Sequence, residues 1–173
     1  ADAAREKGLK VVATFHHARN HLQRIDDKWE GHYAFAKTNY PAAFDDPERA
    51  LLYGQMPRDV FLEMWFGKLR EVVDRYQPDL IWFDSWLDTI PDDWRREFVD
   101  YYYKAADAWG RDVVVTFKQK DLPEGIGVFD IEKGGMEATS ESAWLSDDTI
   151  SLGSWCYTRD LRVKDSSMVV HSL

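Results

Sequence analysis

The segment Pro78-Asp79-Leu80-Ile81-Trp82-Phe83-Asp84-Ser85-Trp86 sends a carboxylate out of an apolar run and sets an indole on either side of it. A buried charge is costly unless it is paired or put to use. Residues 80 to 83 read as a short strand covered on both faces, with Pro-Asp before it and a polar loop after it. Asp84 therefore stands at a strand's C-terminal end, where catalytic groups gather in folds of alternating strands and helices. An aspartate there can also do no more than cap the next loop. A second carboxylate, Glu132, ends another strand-like run, Val128 to Ile131, and a parallel sheet would bring both to one rim. Paired carboxylates serve glycoside hydrolysis, one attacking or activating water while the other protonates the departing oxygen. Their environments must then separate their proton affinities. With 31 acidic residues in the chain, many other pairs can be drawn, so this pairing by itself is only moderately specific.

The stretch His16-His17-Ala18-Arg19-Asn20-His21 is the other constellation, three imidazoles and a guanidinium at the end of a strand. Sugar contact, structural packing and metal ligation are all open to it. Adjacent histidines point opposite ways on a strand, so His16 and His17 reach one ligand only if the backbone turns. No His-x-x-x-His helix with an intervening Glu supports the metal reading. His32, with Tyr33 and Trp29, is either part of the same rim or a solvated aromatic loop. Asp92-Asp93 and Asp147-Asp148 read as helix-start or turn carboxylates. Arg95-Arg96 reads as a solvated helix face, and Tyr101-Tyr102-Tyr103 as packing of a helix against a sheet.

The elements that must carry these groups alternate. Residues 2 to 8 read as the end of a helix stopped by Gly8, and Leu9 to Phe15 as a strand. Residues 18 to 54 lack clean periodicity and are long for an idle loop. Between Pro57 and Tyr76, Val60, Phe61, Met64, Trp65, Leu69, Val72, Val73 and Tyr76 recur at helical spacing. After strand 80 to 83 comes a helix from about Asp92 to Trp109, ended by Gly110. Val113 to Phe117 and Val128 to Ile131 read as strands, residues 136 to 151 as polar loop, Leu152 to Tyr157 as a further strand, and Ser166 to Leu173 as an incipient helix. Alternating strands and helices imply parallel crossovers, hence an α/β sheet or barrel.

Composition narrows the partners. The 173 residues are 45% hydrophobic, with eight Trp, eight Tyr and nine Phe, which is ample material for one domain's core. A net charge of -9 argues against a general nucleic-acid binder, since phosphate neutralisation needs clustered Lys and Arg. No segment approaches the roughly 20 apolar residues of a membrane helix, so no membrane partner is expected. Cys156 is alone, which excludes an intrachain disulfide and a zinc-type Cys pair. An acidic, aromatic-rich chain suits a neutral, stackable ligand such as a sugar.

Pro78 to Trp86, then Asp130-Ile131-Glu132-Lys133-Gly134, then Gly153-Ser154-Trp155-Cys156-Tyr157 resemble, in order and spacing, successive motifs of the α-L-fucosidases of glycoside hydrolase family 29. The resemblance implies a (β/α)8 barrel of TIM type, with Asp84 as the nucleophile of a retaining mechanism and Glu132 as its acid/base. Lys133 stands where the family usually has Arg. Ala143-Trp144-Leu145 replaces the common Pro-Trp-Glu, and Cys156 stands where Gly is usual. The family's Lys-His-His-Asp-Gly-Phe sugar-binding segment has no counterpart in these residues, and His16-His17 follows a later strand.

The resulting expectation is residues 1–173 as a central portion of a barrel catalytic domain, cut from a longer protein, with no second domain. It would act on a fucoside or fucosylated glycan by double displacement, without cofactor or metal. Retention asks for carboxyl groups about 5 to 5.5 Å apart. His16, His17, Trp86 and Trp155 would contact the sugar. Open sheet edges make association, including a homo-oligomer, an expectation, and the resemblance is compatible with an extracytoplasmic or lysosome-like compartment. Two other readings stand beside this one. The first is a metal-dependent barrel hydrolase using His16, His17 and His21 with Asp84, and the second a non-catalytic carbohydrate-binding remnant.

Overall fold

Short strands of alternating side chains become two-faced once they pair, and five of them pair here into one parallel sheet. The computed structural model describes residues 1–24, 38–52, 54, 56–84, 86–119, 121–136 and 139–171. Strands β1 (Val12–Phe15), β2 (Leu80–Phe83), β3 (Val114–Phe117), β4 (Val128–Glu132) and β5 (Trp144–Asp147) lie side by side in chain order. Every neighbouring pair is parallel, with Thr14 beside Trp82, Trp82 beside Thr116, and Glu132 beside Asp147. Ser85, Trp29, His32 and Tyr33 lie outside the described residues.

The helices are α1 (Asp2–Glu6), α2 (Ala42–Asp45), α3 (Pro47–Leu52), α4 (Arg58–Tyr76), α5 (Asp92–Trp109) and α6 (Ser166–His171), with 3-10 turns at His17–Arg24 and Leu87–Thr89. The two long helices follow the same rule at each end. Pro57 and Pro91 precede their first turns, where a missing N–H costs nothing. Left-handed Gln77 and Gly110 close them. No helix among the described residues is long and apolar enough to cross a membrane.

Helices α4 and α5 cover the face of the sheet formed by Ile81, Phe83 and Val115. Phe61, Trp65, Leu69 and Val73 from α4 and Phe98 and Tyr102 from α5 meet them there, and none of the nine is more than 2% exposed. Each such burial is worth about 1.5–3 kcal/mol. Phe98 sits edge-on to both Phe83 and Trp65, the arrangement the ring quadrupole favours. The Tyr102 hydroxyl donates to the Pro78 carbonyl at 2.8 Å, tying α5 to the start of β2. The stripe of α4 is rotated from the one its spacing predicts: Val60 and Tyr76 are about half exposed, while Leu62 and Phe66 are buried. Trp94 and Tyr101 of α5 pack edge-on against Phe66 and draw the buried face round.

The expected strand at Leu152 to Tyr157 is not formed, and the predicted polar loop 136 to 151 contains β5 instead. The reason is local. The Ser151 hydroxyl accepts the backbone N–H groups of Gly153 and Ser154, and the Ser154 hydroxyl accepts that of Cys156. Such side-chain bonds compete with a sheet ladder. The predicted strand Leu9 to Phe15 shortens to β1, with Leu9 exposed. Gly127, ahead of β4, allows that strand to approach β3, since a Cβ there would lie 2.4 Å from the Val115 carbonyl oxygen.

Asp121, 1% exposed, ties the loop after β3 to the turn after β2. Its carboxyl accepts the backbone N–H groups of Leu87 and Asp88, and its backbone carbonyl accepts from Arg95. Burial, helped by the Asp88 charge and opposed by Arg95, pushes its pKa from 3.8 up to about 6. A raised carboxyl favours the protonated folded state, so its contribution to stability is complete below 3.8 and is lost as pH rises through about 6. Asp121→Asn is therefore expected to be more stable than the parent at pH 8, with the advantage vanishing toward pH 4. Urea unfolding of both across that range checks it, and a constant difference would count against the buried charge.

Candidate active site

The face of the sheet opposite α4 and α5 collects the polar side chains, because the alternation that buries Ile81 and Phe83 turns Trp82 and Asp84 the other way. Asp84 directly follows β2, its N–H donating to the Phe15 carbonyl at 3.1 Å. Lys118 directly follows β3, Glu132 ends β4, and Asp147 ends β5. These strand ends line a cavity of about 590 Å³ together with His16, Arg19, Trp82, Trp86, Gln119 and Trp155.

Lys118 is the hub. It is 4% exposed, and its Nζ lies 3.3 Å from Asp84 Oδ1, 3.1 Å from Glu132 Oε2, 3.0 Å from Asp147 Oδ2 and 4.0 Å from Asp130 Oδ2. Burial alone would lower its pKa. The bonds to Asp147 and Glu132 and the charges of Asp147 and Asp84 outweigh that, so the ammonium is held above the usual lysine range. The same nitrogen stands 5.0 Å from the centre of the Trp82 ring, and the Trp82 indole N–H donates to Asp130 Oδ2 at 2.7 Å. Trp82 is thus a floor held from two sides.

The second oxygen of Asp84 faces β1. His16 Nδ1 lies 2.9 Å from Asp84 Oδ2, and Arg19 Nη1 3.7 Å from the same atom. The Arg19 guanidinium also lies 5.7 Å from the centre of the Trp86 ring. Trp86 adopts a left-handed backbone with φ 80°, a conformation costly for a bulky residue and concentrated at functional sites. Lys133, left-handed at φ 54°, places its ammonium 4.6 Å from the centre of the ring of Trp155, another lining residue.

Of the residues singled out in the sequence, Asp84, Glu132, His16, Trp86 and Trp155 meet at this cavity. His17 turns away from it. Its Nε2 donates to the Trp65 carbonyl at 3.1 Å, its ring stacks on Trp65, and burial drops its pKa to about 4. His21 likewise donates from Nε2 to the Met56 carbonyl at 3.2 Å and lies against Phe61. The three imidazoles therefore diverge, two of them satisfying backbone carbonyls beside α4. Among the described residues no group of three or more His, Cys, Asp or Glu side chains has metal-holding geometry.

Sequence reasoning overlooked Lys118 and misread Asp147, which is the end of a strand and not a turn carboxylate. Lys118 immediately follows the strand-like run Val113 to Phe117, much the same signal that drew attention to Asp84 after residues 80 to 83. Asp147 was hidden because β5 has only four residues. Burial raises the Asp147 pKa, aided by the Asp130 and Glu132 charges and opposed by its bond to Lys118.

The α-L-fucosidase family model matches residues 1–173, the whole chain. The chain belongs to the α-L-fucosidase family, whose members are glycoside hydrolases. A search of curated proteins finds no match.

Removing the hub should be felt by the fold. Lys118→Met leaves the carboxylates of three strands without their shared counter-charge, a loss expected to cost roughly 3 kcal/mol at neutral pH, as for breaking a buried ion pair. The deficit should shrink under acid, as protonation removes charge from carboxylates that have lost their cation. Chemical denaturation at pH 7 and pH 4 measures both, and an equal loss at the two values would assign the effect to packing.

Proposed function

We propose that this chain is the central part of a (β/α)8 barrel catalytic domain that hydrolyses terminal α-L-fucosyl linkages with retention of configuration. Asp84 is the nucleophile and Glu132 the acid/base. The observation that carries the reading is the convergence of both carboxylates on Lys118 at the C-terminal rim of a parallel sheet. Their nearest oxygens lie within 3.3 Å and 3.1 Å of one nitrogen. That shared contact gathers the two carboxylates into one compact group, the arrangement a double displacement uses. Family membership supplies the sugar class.

In this mechanism Lys118 and His16 hold Asp84 from its two oxygens, so that it stays aimed. Asp84 attacks the anomeric carbon as that carbon's bond to the leaving oxygen breaks, and Glu132 gives its proton to that oxygen. Glu132 then takes a proton from water, the water oxygen bonds to the anomeric carbon, and Asp84 is released as carboxylate. Trp86 and Trp155 both line the cavity and offer apolar faces to the sugar ring or its methyl group. His17 has no direct part here. It packs on Trp65 of α4 at the start of the turn that carries Arg19.

Hydrolysis of an aryl α-L-fucoside by the full-length protein tests the reading. Asp84→Asn should fall to background. Glu132→Gln should lose about 10²–10⁴-fold on substrates with poor leaving groups and much less on activated ones. A 2-fluoro fucosyl inactivator should leave its mass on the peptide containing Asp84. Full activity in Asp84→Asn, or a label elsewhere, would remove Asp84 from the role.

A further inference from the structure

Lys118 serves more carboxylates than a two-carboxylate mechanism uses. Glu132 and Asp147 are register partners on adjacent parallel strands, so their side chains leave the same face of the sheet side by side. Both bond to the Lys118 ammonium, at 3.1 Å and 3.0 Å. One positive charge therefore faces both acids, and Asp84 claims it as well at 3.3 Å. His16 and Arg19 supplement it on the Asp84 side.

We propose that Asp147 is a positioning residue for the acid/base step, forming with Glu132 a carboxyl pair that shares one proton across Lys118. The proposal rests on the reading of Glu132 as acid/base and adds what keeps a proton there. A glutamate bonded alone to an ammonium would be a poor acid, because the cation favours its ionised form. Asp147 alters this in two ways. Its own bond draws on the ammonium's charge, and its proximity disfavours a second ionised carboxylate beside it. Two carboxyls so coupled lose their protons in steps that belong to the pair.

The surroundings of Asp147 agree with that role. Its Oδ1 is buried and has no hydrogen-bond partner among the described residues, a position better suited to a neutral carboxyl than to a full anion. Asp130 and Glu132 face it from β4, Lys118 from β3, and Asp84 stands beyond Lys118. When Glu132 passes its proton to the leaving oxygen, Lys118 is at hand for the carboxylate that forms. When Glu132 later takes a proton from water, the ammonium returns to Asp147. No atom or proton is consumed by Asp147 itself.

The test is Asp147→Asn in the full-length protein, with the fold checked by circular dichroism and thermal melting. Removing the second carboxylate gives Lys118 wholly to Glu132, so the basic limb of the kcat/KM profile should move to lower pH by roughly one unit, about ten-fold in rate on that limb. The loss should fall on aryl fucosides with poor leaving groups and spare activated ones, and Asp147→Glu should restore the profile. Superimposable pH profiles, or equal losses on both substrate types, would overturn the proposal and leave Asp147 as an anchor for Lys118. Glu132→Gln run alongside separates the two readings, because full activity there would remove Glu132 from the acid/base role whatever Asp147 does. Should Asp147→Asn fail to fold, the reciprocal measurement remains. Carboxyl-carbon NMR should show Asp147 titrating at lower pH in Glu132→Gln than in the parent, and an unmoved titration would refute the sharing.

Discussion

Carboxylates from β2, β4 and β5 reach one rim, and like charges that close would drive the strand ends apart were no cation between them. Two unit charges about 4 Å apart in a partly buried setting interact by about 4 kcal/mol, comparable with burying one or two large side chains. The Lys118 ammonium offsets that repulsion by lying within 4.0 Å of Asp84, Asp130, Glu132 and Asp147. The dependence is mutual. A lysine 4% exposed would shed its proton if left alone in apolar surroundings, and the carboxylates are what keep it charged. Cation and anions thus stabilise one another's ionisation.

This arrangement is open to the chain because each strand is divided by its own alternation. In β2, Ile81 and Phe83 go to the helices and supply stability, while Trp82 and the following Asp84 go to the cavity. Trp82 links the two tasks, being large enough to floor the site while its N–H bonds Oδ2 of Asp130, which is 2% exposed. A one-residue slip of β2 would exchange the faces and lose core and site together. The dense aromatic packing of Trp65, Phe83, Phe98 and Tyr102 therefore fixes the register on which Asp84's position depends.

What was legible in the sequence follows the strength of periodic and punctuation signals. Helix α5 was read to the residue because Pro91, Asp92 and Gly110 mark both ends, and α4 nearly so. Asp84 was legible as a strand end because an apolar run of four gives way to a carboxylate, and Glu132 because it closes the strand-like run Val128 to Ile131. The face of α4 was read less well, since Phe66 is drawn inward by partners on α5 that local spacing cannot reveal. β5 was missed and a strand at Leu152 to Tyr157 wrongly expected, because four residues of Trp-Leu-Ser-Asp carry too little pattern while Leu-Gly-Ser-Trp-Cys-Tyr carries the composition of a strand. Only serine side chains bonding to nearby backbone reverse that preference. The histidine cluster was ambiguous for a related reason: which ring meets a carboxylate and which meet carbonyls depends on the His17–Arg24 turn over α4, a tertiary fact.

The two halves of the site are supported differently, and that difference bears on how such a site would work. β2 is backed by both long helices, so Asp84 rests on the most buried part of the protein. The connections from β3 to β4 and from β4 to β5 contain no helix among the described residues. Phe117, Phe129 and Trp144 instead line a second cavity of about 850 Å³ on that side. Glu132 and Asp147 therefore take their positions from strand pairing, which is extensive between β4 and β5, and from the ammonium on β3. A nucleophile needs fixed aim, since small displacements from the attacked carbon cost rate steeply. An acid/base must serve two oxygens in turn, first the leaving group and then water. Packing suits the first task and a shared charge suits the second, because an ion pair keeps its attraction through small shifts that would empty a close-packed contact.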